Sequence, residues 1–86
     1  MGDLLKLPNI GKDTERQLIE VGINNFEALK ASGSEKAWLK IQAIDSSACI
    51  QRLLGLEGAI LGIKKTLIPE ERKLELKEFY NKHKKL

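Results

Sequence analysis

The stretch from Ile50 to Ile63 limits what this chain can fold into more than any other segment. It is apolar almost all the way round, at Ile50, Leu53, Leu54, Leu56, Ile60 and Leu61, the pattern of a helix at the centre of a bundle. Gly55, Gly58, Ala59 and Gly62 fall at offsets of 0, 3, 4 and 7, so one face of that helix carries almost no side chains. Each glycine costs about 1 kcal/mol of helix propensity relative to alanine. Close approach is the compensating gain, either from another helix of the same chain, the first or the fifth, or from a second copy in a homodimer. Glu57 is the one carboxylate in this segment. Without a second acid it reads as a hydrogen-bond acceptor that caps a neighbouring helix or pairs with Lys or Arg.

Around that centre the sequence predicts an all-α fold of about five helices in a compact bundle, with no alternating strand pattern of useful length. Lys12 to Val21 forms the first helix, with Leu18, Ile19 and Val21 inward and Gly22 stopping it. Asn24 caps the second, with Glu27 as its capping-box partner and Phe26 and Leu29 as core residues. Ser32-Gly33-Ser34 breaks it and starts a third, which turns Ala37, Trp38, Leu39 and Ile41 to the core with Trp38 as the anchor. Asp45-Ser46-Ser47 caps the fourth, the central helix, which runs to about Ile63. Pro69 at a first helical position, followed by Glu70 and Glu71, opens a fifth that ends among lysines.

Eighty-six residues form a single domain over 1–86, large enough for one small core and too small for a cleft between lobes. With 42% hydrophobic and 31% charged residues the chain reads as an ordinary soluble protein. No apolar run is long enough to span a bilayer, and Met1-Gly2-Asp3 lacks the start of a signal peptide, so a cytoplasmic location is expected. Cys49 is the single cysteine, which excludes an internal disulfide and a thiolate metal cluster. His83 is the single histidine and lies in a lysine-rich tail at about 81–86. With no nucleophile–base pair, metal-ligand set or phosphate-cradling glycine loop, the chain is expected to act by binding, without catalysis, cofactor or metal.

The net charge of +3 is uneven: residues 1–62 carry seven Lys/Arg against eight Asp/Glu, and residues 63–86 carry eight against four. The C-terminal quarter is the basic pole, a solvated helix end whose cations complement the macrodipole. At the other end, Leu7-Pro8-Asn9-Ile10-Gly11-Lys12 is a tight turn running into the first helix, a setting in which backbone N–H groups can face a phosphate.

These segments together resemble the C-terminal domain of the TfoX/Sxy family of bacterial regulators of competence, or DNA transformation. The resemblance runs through Leu7-Pro8-Asn9-Ile10-Gly11, Gly22-Ile23, Leu53-Leu54-Gly55-Leu56-Glu57-Gly58-Ala59, Gly62-Ile63 and Leu67-Ile68-Pro69-Glu70-Glu71-Arg72-Lys73, leaving only the lysine tail outside. It implies a helix-hairpin-helix-like (SAM-like) arrangement with no catalytic residues to carry over. Family members place an α/β domain before this one, so the chain reads as a stand-alone module. Family members also often carry a Trp where this chain has Lys65, an anchor that Trp38 is expected to replace.

In helix-hairpin-helix turns a Gly-hydrophobic-Gly sequence approaches the phosphate and a small residue four positions later lets the helices close. Here the turn is Asn9-Ile10-Gly11, in which Asn tolerates a left-handed backbone but its side chain crowds a phosphate, and the small residue is replaced by Glu15. Asp13 adds repulsion, while Lys6, Lys12 and Arg16 offset it. Two binding modes follow. One is contact with DNA backbone, without sequence reading, through Lys6, Asn9, Gly11, Lys12 and Arg16. The other is a protein-interaction adaptor that docks on a transcription or DNA-uptake partner and exposes an apolar patch.

Overall fold

A computed structural model describes residues 3–84 and contains five α-helices and, among the described residues, no strand. A 3-10 turn at Asp3–Lys6 precedes α1 (Lys12–Glu20), α2 (Phe26–Ser32), α3 (Ser34–Ile44) and α4 (Ile50–Leu61). A second 3-10 turn at Lys65–Leu67 then leads into α5 (Glu70–His83). The all-α bundle expected from the sequence is therefore present. The segment before the Leu7–Gly11 turn is a four-residue 3-10 turn. Met1, Gly2 and the end of the lysine tail, Lys85 and Leu86, lie outside the described residues. The part of the tail from Asn81 to His83 is the last turn of α5.

The central helix occupies the centre. Leu53, Leu56 and Ala59 of α4 are fully buried, and α4 packs against α2, α3, α5 and the second 3-10 turn. Around them sit Leu4, Leu18, Leu29, Ala37, Ile41 and Leu76, one core drawn from every helix. Trp38 is the anchor: it is fully buried, its indole N–H donates to the Cys49 carbonyl at 3.1 Å, and Phe79 and Tyr80 of α5 meet its ring edge-on at 6.1 and 5.6 Å. The aromatic anchor thus joins α3, the start of α4 and the end of α5.

Both Gly-Ile pairs end helices by the same geometry. At α1, Gly22 N–H donates to Ile19 O at 3.0 Å and Ile23 N–H to Leu18 O at 2.8 Å; at α4, Gly62 donates to Ala59 O at 3.2 Å and Ile63 to Gly58 O at 2.9 Å. This is the Schellman arrangement, with the glycine at φ +90° and +77° respectively. Gly62 is therefore the stop of α4, not a member of its packing face, and the helix ends at Leu61 rather than near Ile63.

Other boundaries shift by local chemistry. Asn25, not Asn24, caps α2, its side chain accepting from Ala28 N–H at 2.8 Å. Asp45 does not cap α4: its carboxylate accepts from Ser47 N–H and Oγ, which folds the α3–α4 loop, and α4 begins five residues later after Cys49. Pro69 is the cap of α5 rather than its first residue. Ile19 is 48% exposed, because the buried arc of α1 is Thr14, Gln17 and Leu18. Phe26 is half-buried, with the Lys30 ammonium 6.0 Å from its ring centre.

Candidate functional site

The hairpin residues are held in place by Asn9. Its backbone is left-handed, φ 68°, which aims the side chain at α4. There Nδ2 donates to Ile63 O at 3.0 Å and Gly55 O at 3.4 Å, and Oδ1 accepts from Lys65 N–H at 3.1 Å. The amide thereby satisfies carbonyls and an N–H where α4 ends, linking the start of the chain to its middle. What the glycine face receives is this side chain. A Cβ on Gly58 would stand 2.5 Å from Asn9 Nδ2 and 2.8 Å from Ile63 O, whereas one on Gly55 would meet Asn9 Cβ at 3.4 Å. Ala59, fully buried, faces the core.

The other hairpin residues surround a nearly balanced surface. Lys6 and Lys12 are exposed, and Arg16 is paired with Glu20 at 3.3 Å on the solvent side of α1. Gly11 precedes α1 in an extended conformation open to any residue, with nothing within 4 Å of where its Cβ would be. No side chain caps α1, and Asp13 and Glu15 occupy its first turn. Glu15 is half-buried, and its Oε2 is enclosed without a hydrogen-bond partner.

Glu57 finds the partners its position demands. The Ser34 hydroxyl donates to Oε1 at 2.7 Å, and Arg72 donates from Nε to Oε2 at 3.0 Å and from Nη2 to Oε1 at 3.2 Å. Arg72 also reaches Glu75 at 2.9 Å and Glu35 at 3.4 Å. Burial pushes the Glu57 carboxyl upward, but the hydrogen bonds from Arg72 and Ser34 and the Arg72 charge outweigh it and hold the group below the usual carboxylate range. The same hydrogen bonds to Glu57 hold the Arg72 guanidinium above its ordinary value. Among these groups Glu57 and Arg72 bind α4 to α5 and are consumed by each other.

An unfilled concavity lies elsewhere, between α4 and α5. A groove of about 370 Å³ is lined by Ile50, Gln51 and Leu54 of α4 and by Glu70, Lys73, Leu74 and Lys77 of α5. Leu74 is 61% exposed, and Leu67, in the turn before α5, is 65% exposed. The sequence carries a single signal of this groove. Leu74 and Leu76 are two residues apart on a helix, so both cannot face the core; Leu76 is fully buried and Leu74 is left outside.

The sequence matches the family model of the TfoX C-terminal domain over residues 1–80. The chain belongs to that family. Protein Sxy of Escherichia coli (strain K12) is similar to this TfoX C-terminal domain at 38% identity over 76 residues, 88% of the chain. The chain spans 36% of the length of that relative. Two crystal forms of an uncharacterized protein from Listeria monocytogenes are 46% identical and share the fold, with TM-scores of 0.91 and 0.90. Each match covers 92% of this chain, and 90% and 98% of the Listeria chains. The two motifs most specific to the resemblance, Leu56-Glu57-Gly58-Ala59 and Pro69-Glu70-Glu71-Arg72, prove to be in contact: the TfoX C-terminal domain joins them through the Glu57–Arg72 pair. Among the described residues no helix is long and apolar enough to cross a membrane.

Proposed function

We propose that this TfoX C-terminal domain is a protein-docking module of a competence regulator, and that the α4–α5 groove is its docking surface. The observation that carries this reading is the exposed Leu74 beside Ile50 and Leu54, which leaves an open apolar concavity between α4 and α5. The experiment places variants in a bacterial strain lacking the chromosomal copy and measures competence-gene transcripts. Leu74→Asp is expected to abolish induction while leaving the circular dichroism melt within about 0.5 kcal/mol of wild type, as for an exposed site. Full induction by Leu74→Asp overturns the reading.

A second reading, contact with DNA backbone at the hairpin, is supported by the exposure of Lys6 and Lys12 and the open space at Gly11. Three cations give a salt slope of at most about −2.7, a loss of about 40-fold between 50 and 200 mM salt. Titration of labelled duplex tests this reading. Binding that is unchanged by Lys12→Glu and Arg16→Glu removes the hairpin from the interface.

A further inference from the structure

We propose that the occupant of the α4–α5 groove is an acidic amphipathic helix of a partner protein. The inference rests on the docking reading above and names the chemistry of the partner. Ile50, Leu54 and Leu74 present aliphatic surface, which suits the apolar stripe of a helix. The groove follows α5 from Glu70 to Lys77, a rise of about 12 Å, room for about two turns of a partner helix.

Charge selects the partner. Lys73 and Lys77 both line the groove, at the i and i+4 positions of one helix, an arrangement that is repulsive in isolation. Lys73 is partly met, by Glu70 at 3.9 Å and by the Thr66 carbonyl at 3.2 Å. Lys77 takes part in none of the ion pairs among the described residues. Glu70 is the one carboxylate that lines the groove, and it stands beside Lys73, which leaves Lys77 as the unmet charge there. An incoming helix that flanks its leucines with glutamates therefore relieves the Lys73–Lys77 repulsion as it buries Leu74, and a basic helix of the same shape meets two like charges.

The test uses the full chain and two helix-stapled peptides of about 15 residues, long enough to line the groove. Both carry leucines at i, i+4 and i+7; one is flanked by glutamates and the other by lysines. Binding is read by fluorescence anisotropy and by backbone amide shifts. The glutamate peptide is expected to shift the amides of Ile50, Leu54, Leu74 and Lys77 and to bind at least about tenfold more tightly than the lysine peptide. Lys77→Glu, at an exposed position, is expected to reverse that preference. Equal or tighter binding of the lysine peptide overturns the acidic partner, as does a preference unmoved by Lys77→Glu. Failure of both peptides also overturns it, whereas the docking reading itself stands or falls separately on the Leu74→Asp transcript measurement. The same amide shifts produced by concentrating the chain alone would assign the groove to a second copy, and shifts produced only by vesicles of anionic lipid would assign it to a membrane surface; either outcome overturns the proposal.

Discussion

A left-handed backbone at a residue other than glycine costs about 1 kcal/mol, and at Asn9 three hydrogen bonds across to α4 and the following turn offset it. The same side chain explains why Gly58 is glycine. A methyl group there would press on Asn9 Nδ2 and also on the backbone oxygen of Ile63, 2.8 Å away, which cannot swing aside. Gly58→Ala is therefore expected to destabilise the domain by about 2 kcal/mol, overpacking outweighing the gain in helix propensity. Gly55→Ala, which makes an ordinary contact at 3.4 Å, is expected to be neutral or stabilising by up to about 1 kcal/mol. Urea unfolding of both variants checks the contrast, and equal effects would remove Asn9 from the explanation. Asn9→Ala should itself cost about 2 kcal/mol, and the double variant Asn9→Ala with Gly58→Ala should cost at least about 0.5 kcal/mol less than the sum, since the two share one contact.

At the scale of elements, α4 and α5 are joined by a carboxylate that must stay ionised. The folded-state value of Glu57 is depressed, so its contribution is fully present above the unfolded value of about 4.3 and is lost as pH falls through the lower folded value. Asp45 acts with the same sign, its carboxyl lowered by the hydrogen bonds of Ser47 and Gln17. Thermal stability is expected to decline on acidification below about pH 4.5, and Glu57→Gln should flatten that decline while costing about 2–3 kcal/mol at neutral pH. That figure lies below the cost for a fully buried pair because Arg72 keeps 30% of its side chain exposed. An acid limb unchanged in Glu57→Gln would assign the pH dependence to other groups. The requirement for a partner to Glu57 was legible in the sequence, since one acid in an apolar helix has to be met; that the partner is Arg72 was not, because it depends on how α5 crosses α4. Likewise the left-handed preference of Asn9 could be read from the residue, but its target lies about fifty residues away. The stops at Gly22 and Gly62 rest on local geometry and were readable as Gly-Ile signals, although Gly62 was drawn into the packing face because its spacing from Gly55 fits that pattern equally well. The groove was hidden for the same reason as the Arg72 pairing: it exists only between two helices.

For the whole molecule, burial is graded outward from α4. Leu53, Leu56 and Ala59 of α4 are fully buried, whereas α2 contributes one fully buried side chain, Leu29, and α5 one, Leu76, with Phe79 and Tyr80 leaning on Trp38. A helix at the centre of the core exposes its amides only when the whole domain unfolds, but a helix docked along one edge can open while the rest persists. Native-state hydrogen exchange is therefore expected to show the α4 amides exchanging at the free energy of global unfolding and those of α2 and α5 at least about 1 kcal/mol below it. Uniform protection across the five helices would contradict this grading. The gradient also bears on docking, because one wall of the groove is the stable helix and the other the edge helix that opens first. A helix bound between them must hold α5 against α4 as a condition of binding, so saturating the groove should slow exchange in α5 toward the global limit and leave the hairpin amides around Gly11 and Lys12 unchanged. Slowing at the hairpin instead would place the bound partner at the N-terminal turn.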